Sequence, residues 1–170
     1  MNKMNSSHRN PIQGKKTILS LLAIIIVIGG TYLFVRGKAE ESGQAALGGK
    51  EIMVYKTPTC GCCGAFISYL KKKDVAVKME NVANLDAVKR QYGVPSELSS
   101  CHTSIVDGYV VEGHVPLEAI EKLLSERPNI KGIALPGMPS GTPGMPGPKF
   151  EKWDIRSFTD DGTVGTFTTI

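Results

Sequence analysis

The chain has 170 residues, 41% of them hydrophobic, enough for one domain with its own core and crowded for two. Its formal net charge of +4 is unevenly placed: residues 1–39 hold six Lys/Arg and no acid, which leaves fourteen basic against sixteen acidic side chains, a net −2, in residues 40–170. That balance argues against nucleic acid as a partner, because such binding needs clustered cations to displace phosphate counterions.

Residues 1–17 read as a short cytoplasmic segment. Residues 18–35 (ILSLLAIIIVIGGTYLFV) follow without a charge, between Lys15 and Lys16 on one side and Arg36 and Lys38 on the other. Eighteen helical residues rise about 27 Å, close to the hydrocarbon thickness of a bilayer, so one transmembrane helix is expected. A cleaved signal is the alternative; its usual apolar region is shorter, and Gly37-Lys38-Ala39 fits the small-x-small site only loosely. The excess of basic residues before the segment leaves the N-terminus in the cytoplasm and puts the remainder in the periplasm or outside the cell. If the signal is cleaved, the product is free in the periplasm.

Residues 36–49 are small, polar and Gly-containing, and read as a linker; residues 50–170 are the domain. Residues 51–56 (EIMVYK) form a first strand, halted at Thr57-Pro58-Thr59. A helix fits residues 63–73, with Phe66, Ile67 and Leu70 on one side and Lys71, Lys72 and Lys73 in its last turn. Residues 75–79 alternate as a strand, and residues 84–92 form a second helix capped by Asn84 and closed by Gly93 and Pro95. Residues 102–106 and 109–112 make a hairpin about Asp107-Gly108, and residues 116–126 a third helix with Leu117, Ile120, Leu123 and Leu124 on its buried face. Residues 134–148 (ALPGMPSGTPGMPGP) are too rich in Pro and Gly for either regular element, and residues 153–170 read as an added hairpin about Asp161-Gly162. This order is that of a thioredoxin-like α/β sandwich, with its first two strands parallel because a helix joins them.

The four cysteines are Cys60, Cys62, Cys63 and Cys101. The first three lie in TPTCGCCG, at a strand-to-helix turn where the helix dipole favours thiolate. Cys60 and Cys63 form a C-x-x-C pair, a thioredoxin-like redox signature. Two structural disulfides would have to draw on three cysteines crowded into one turn, and the adjacent Cys62 and Cys63 are too close to pair, so redox chemistry or a metal is the stronger reading. The pattern is not that of a zinc site made from two separated pairs; soft thiolates select Cu(I) and can bridge several ions. The thioredoxin-like order places Cys101 in the loop beside the C-x-x-C turn; ordinary thioredoxins carry a cis-proline in this loop, and Ser100-Cys101 stands here instead, with Pro95 too far upstream, which weakens the case for a plain disulfide oxidoreductase.

His114, after the hairpin, can swing toward the thiols. His102 is expected on the opposite face from Cys101 if the strand has already begun there. Met53 and Met79 fall in strands and are expected to pack in the core, whereas Met138 and Met145 sit in the Pro/Gly segment and are candidate thioether ligands of copper. A membrane-tethered thiol-disulfide oxidoreductase, with Cys60 as nucleophile and Cys63 as resolving thiol, stands as the alternative to metal binding.

The segments TPTCGCC, GVPSELSSCHT, GYVVEGHVP and GIALPGMPSGTPGMPGP, in that order, resemble the periplasmic copper-resistance proteins of CopG type. The resemblance spans residues 50–170. It implies a thioredoxin-like fold, a cysteine-bridged cluster of several copper ions, a role in interconverting Cu(I) and Cu(II), and other periplasmic copper-handling proteins as partners. Cys60, Cys62, Cys63 and Cys101 match the family's cysteines, and His114, Met138 and Met145 match its motifs as further metal ligands. Gly64-Ala65-Phe66 departs slightly from the aromatic that often follows the CGCC turn.

Overall fold

The structure is a computed structural model that describes residues 47–170. The expected cytoplasmic segment, the apolar segment 18–35 and most of the linker lie outside the described residues. Among the described residues, no helix is long and apolar enough to cross a membrane.

The domain has a mixed α/β fold built on one seven-stranded sheet. Its elements are β1 (Ile52–Lys56), α1 (Gly61–Lys72), β2 (Val77–Asn81), α2 (Leu85–Gln91), a 3-10 turn (Ser96–Leu98), β3 (His102–Val106), β4 (Tyr109–Gly113), α3 (Leu117–Glu126), β5 (Gly132–Leu135), β6 (Asp154–Phe158) and β7 (Val164–Thr169). The strand order across the sheet is β2-β1-β3-β4-β5-β6-β7. β1 and β2 are parallel, as the helix between them requires, and β4 and β5 are likewise parallel across α3. The other pairings are antiparallel.

Local sequence accounts for most of these boundaries. α1 buries Cys63, Phe66, Ile67 and Leu70, an i, i+3, i+4, i+7 stripe, and keeps Lys71 and Lys72 in its last turn. α2 starts where the Asn84 side chain accepts from the Ala87 N–H at 3.0 Å and stops before Gly93, whose φ of +70° only glycine adopts without strain. The β3–β4 turn has positive φ at both Asp107 and Gly108, the geometry that suits a two-residue hairpin.

The two faces of the sheet are unequal. One packs α1 and α3 against Ile52, Val54, Val106, Val111, Ile133 and Ile155 in the large core. The other covers Val110, Ala134 and Phe158 with Leu98 and the Tyr92–Val94 region. β4 alternates between the two, with Val110 and Glu112 on the smaller side and Val111 on the larger.

Several expectations are corrected. A strand, β5, occupies the apolar run before the Pro/Gly segment, so residues 134 and 135 are sheet rather than loop. This run of four buried residues is too short to show a period and ends at Pro136. Met79 is 49% exposed because β2 is an edge strand, so it is not core. The C-terminal hairpin forms as expected, and through β6 it extends the same sheet.

Candidate metal centre

The centre starts with the turn that leaves β1. Buried Lys56, at the strand's end, donates its ammonium to the Thr57 carbonyl at 2.9 Å and tightens the chain before Cys60. Cys60 is then the N-cap of α1, its sulfur accepting from the Cys63 N–H at 3.3 Å. The cap and the first turn thus carry all three local cysteines. Cys60 and Cys63 are joined in a disulfide, with Cα atoms 5.4 Å apart. Cys62 and Cys101 are free.

Cys101 arrives from the bend before β3. Its Sγ lies 3.8 Å from Cys62 Sγ, which is in turn 3.5 Å from Cys60 Sγ. All four sulfurs fall within 4.8 Å of one another. The fourth cysteine therefore meets the other three, as its place in the chain order predicts.

Two imidazoles complete the convergence. His114 Nε2 lies 2.7 Å from Cys101 Sγ, while its Nδ1 donates to the Pro143 carbonyl at 2.6 Å. That second bond fixes the tautomer, leaving the Nε2 lone pair turned toward the sulfur, the usual way an outer partner orients an imidazole ligand. His102 Nδ1 is 3.6 Å from Cys101 Sγ, and Cys101, His102 and His114 form a second group with ligand atoms within 4.8 Å. His102 therefore does not point away from Cys101. Cys101 sits in a bend rather than in the strand, so strand alternation does not separate the two side chains.

Phe66 holds both rings, with centroids 4.5 Å from His102 and, edge-on, 5.7 Å from His114. Burial keeps both imidazoles neutral, pushing His102 down to about 3 and lowering His114 as well. Burial, reinforced by Cys62, pushes the Cys101 thiol up to about 12.

The Pro/Gly segment is a strap over this group. Gly144 rests directly on the first turn of α1: a Cβ there would come within 2.6 Å of the Phe66 nitrogen and 2.8 Å of the Cys62 carbonyl oxygen. Its φ of +85° also favours glycine. The strap is braced internally by Thr142 Oγ1 donating to the Pro139 carbonyl at 2.8 Å and by Ser140 Oγ donating to the Pro148 carbonyl at 3.0 Å. Met145 follows Gly144 and is half-buried; Met138 is 41% exposed, in left-handed backbone. The groups that converge are thus the four cysteines with His114 and His102, while Met138 and Met145 lie on the strap.

The chemistry of this donor set is soft. Sulfurs at a helix N-terminus with neutral imidazoles beside them suit a thiophilic ion, and His102 Nε2 is buried with no hydrogen-bond partner among the described residues. Reduction of the Cys60–Cys63 bond by two electrons brings the number of available thiols to four.

A solved structure of copper resistance protein CopG, form 2, superposes with a TM-score of 0.66 at 38% identity, covering 71% of this chain and 98% of that one. The chain belongs to the CopG-type copper-resistance family. Form 1 of copper resistance protein CopG matches this CopG-type chain equally well, with a TM-score of 0.65, 38% identity and coverage of 71% and 96%. The family described as protein of unknown function, DUF411, matches residues 98–145, the part that holds Cys101, both histidines and most of the strap. No curated protein matches the chain.

Proposed function

We propose that this protein handles copper in copper resistance, holding Cu(I) in a thiolate-bridged cluster made by Cys60, Cys62, Cys63 and Cys101, with His114 as a nitrogen donor and Met138 and Met145 as thioether donors. The observation that carries the reading is the meeting of four sulfurs within 4.8 Å, three from one turn and one from far along the chain. Sulfurs this close cannot each hold a separate ion, but they can bridge several. The order β1-α1-β2, with the C-x-x-C pair at the start of α1 and Cys101 before β3, supports a thioredoxin-like domain.

The Cys60–Cys63 pair also supports interconversion of copper oxidation states. Two Cu(II) ions take one electron each and become Cu(I), while the two thiolates lose two electrons and close the disulfide. The reverse regenerates both thiolates as two Cu(I) ions become Cu(II). The apolar segment 18–35 supports a membrane-tethered domain on the periplasmic side, within reach of other copper-handling proteins of that compartment.

Metal analysis after anaerobic reduction, Cu(I) loading and desalting tests this reading. More than one copper per chain is expected, with most of it lost in Cys62→Ser. A stoichiometry of zero removes it. The disulfide at the helix N-terminus favours a second reading, a thiol-disulfide oxidoreductase using Cys60 and Cys63 alone. In that case Cys62→Ser and Cys101→Ser both leave disulfide-reductase activity intact, and loss in both counts against it.

A further inference from the structure

Beneath the centre, on the smaller face of the sheet, lies a buried charge cluster with no part in holding the sulfurs directly. Glu112 of β4 is fully buried and pairs with the nearly buried ammonium of Lys89, from α2. Its second oxygen accepts from Thr103 Oγ1 at 2.7 Å, and Thr103 in turn accepts from Lys89 at 3.2 Å. Thr103 is Glu112's cross-strand neighbour, so these contacts alone describe a satisfied structural ion pair.

The remaining contact reaches out of the cluster. The oxygen of Glu112 that faces Lys89 also accepts from the Ser100 N–H at 2.6 Å. Ser100 immediately precedes Cys101, and Glu112 is two residues before His114. One carboxylate therefore ties the bend that presents Cys101 to the strand that presents its imidazole partner.

Packing on the other side enforces the same register. Gly113 lies between these two points with φ +79°, and a Cβ there would come within 2.6 Å of Ser100 Oγ and 2.9 Å of the Leu135 carbonyl oxygen. The bend is thus bonded to Glu112 and wedged against Gly113. Burial pushes the Glu112 carboxyl up, and Lys89, Thr103 and the Ser100 N–H pull it back toward the carboxylate form.

We infer that Glu112 is a positioning residue for the centre: its bond to the Ser100 N–H sets the Cys101 sulfur against Cys62 and His114. This deepens the reading of four cooperating thiols and rests on it. A purely structural ion pair predicts something different, because its replacement by uncharged residues of similar shape is often neutral or stabilising and has no reason to move one thiol.

The test compares two double variants of the full chain in a Cys60→Ser/Cys63→Ser background, where only Cys62 and Cys101 remain to cross-link. Both carry Lys89→Met, so neither leaves a buried ammonium unpaired. Glu112→Gln retains an acceptor for the Ser100 N–H, and Glu112→Leu does not. Diamide-driven closure of the Cys62–Cys101 disulfide is timed by mass spectrometry, with thermal melts run in parallel. The Gln variant is expected within about twofold of the unaltered pair, and the Leu variant about tenfold slower, the upper end of what one neutral hydrogen bond contributes.

Equal closure rates in two folded double variants overturn the proposal. If the Leu variant does not fold, Glu112→Asp alone decides: it keeps a charge beside Lys89 but draws back from Ser100, so slowed closure supports the proposal and an unchanged rate overturns it. Because this readout needs no metal, it separates failure of the positioning role from failure of the copper reading.

Discussion

Cys60, Cys62 and Cys63 reach the centre from one cap and one helical turn, whereas Cys101, His102 and His114 reach it from a bend and the ends of two strands. The first group is ordered by contacts spanning a few residues, such as the Cys63 N–H on Cys60 and the Lys56 ammonium on Thr57. The second depends on partners far away in the chain: Pro143 for His114, Phe66 for both rings and Glu112 for the bend. Local order alone closes the Cys60–Cys63 disulfide and sets Cys62 beside it. The distant group adds the fourth sulfur, Cys101, and both imidazoles.

Breaking the long-range side at its packing should have the largest effect. Phe66→Ala removes a fully buried ring that touches α1's own core and both imidazoles, and is expected to cost about 3–5 kcal/mol in denaturant unfolding. A loss under about 1 kcal/mol would show that the site collapses around the gap and that the rings are held otherwise.

Lifting the strap is the next largest. Gly144→Ala forces a side chain against Cys62 and Phe66 at positive φ, with an expected loss of about 1–3 kcal/mol and faster alkylation of Cys62 by iodoacetamide. Unchanged alkylation would mean that the strap does not shield the thiol turn.

The smallest effect lies at the far end of the β3–β4 hairpin. Lys50 and Arg127 donate to Asp107 and hold its carboxyl below the usual carboxylate range. A depressed folded-state value contributes stability that is present above the unfolded value, about 3.9, and is lost as pH falls through the folded one. Asp107→Asn should therefore leave the melting temperature at neutral pH nearly unchanged, since exposed pairs contribute little, and should flatten its fall in acid. A large drop at neutral pH would show that the turn itself, with positive φ at Asp107, needs the acid.

The same division governs how much of the molecule could be read from its sequence. The cysteine turn, the α1 stripe, the Asn84 cap and the Asp107-Gly108 hairpin are local patterns, and each appears where its residues place it. Cys101 was legible through chain order alone. His102 was not, because strand alternation gives the wrong side when the neighbouring cysteine lies in a bend. β5 was missed because a four-residue apolar run before a proline carries no period. Glu112 gave no signal within YVVEG, since a lone acid in a strand reads as a solvent-facing position until its distant partner Lys89 is known.

The central claim, that four sulfurs share soft ions, is tested most directly by X-ray absorption at the copper edge on the reduced, Cu(I)-loaded chain. Sulfur-dominated nearest neighbours with copper–copper scattering are predicted, the latter weakened or lost in Cys101→Ser. A single copper surrounded by nitrogen and oxygen, or a spectrum indifferent to Cys101→Ser, would contradict it.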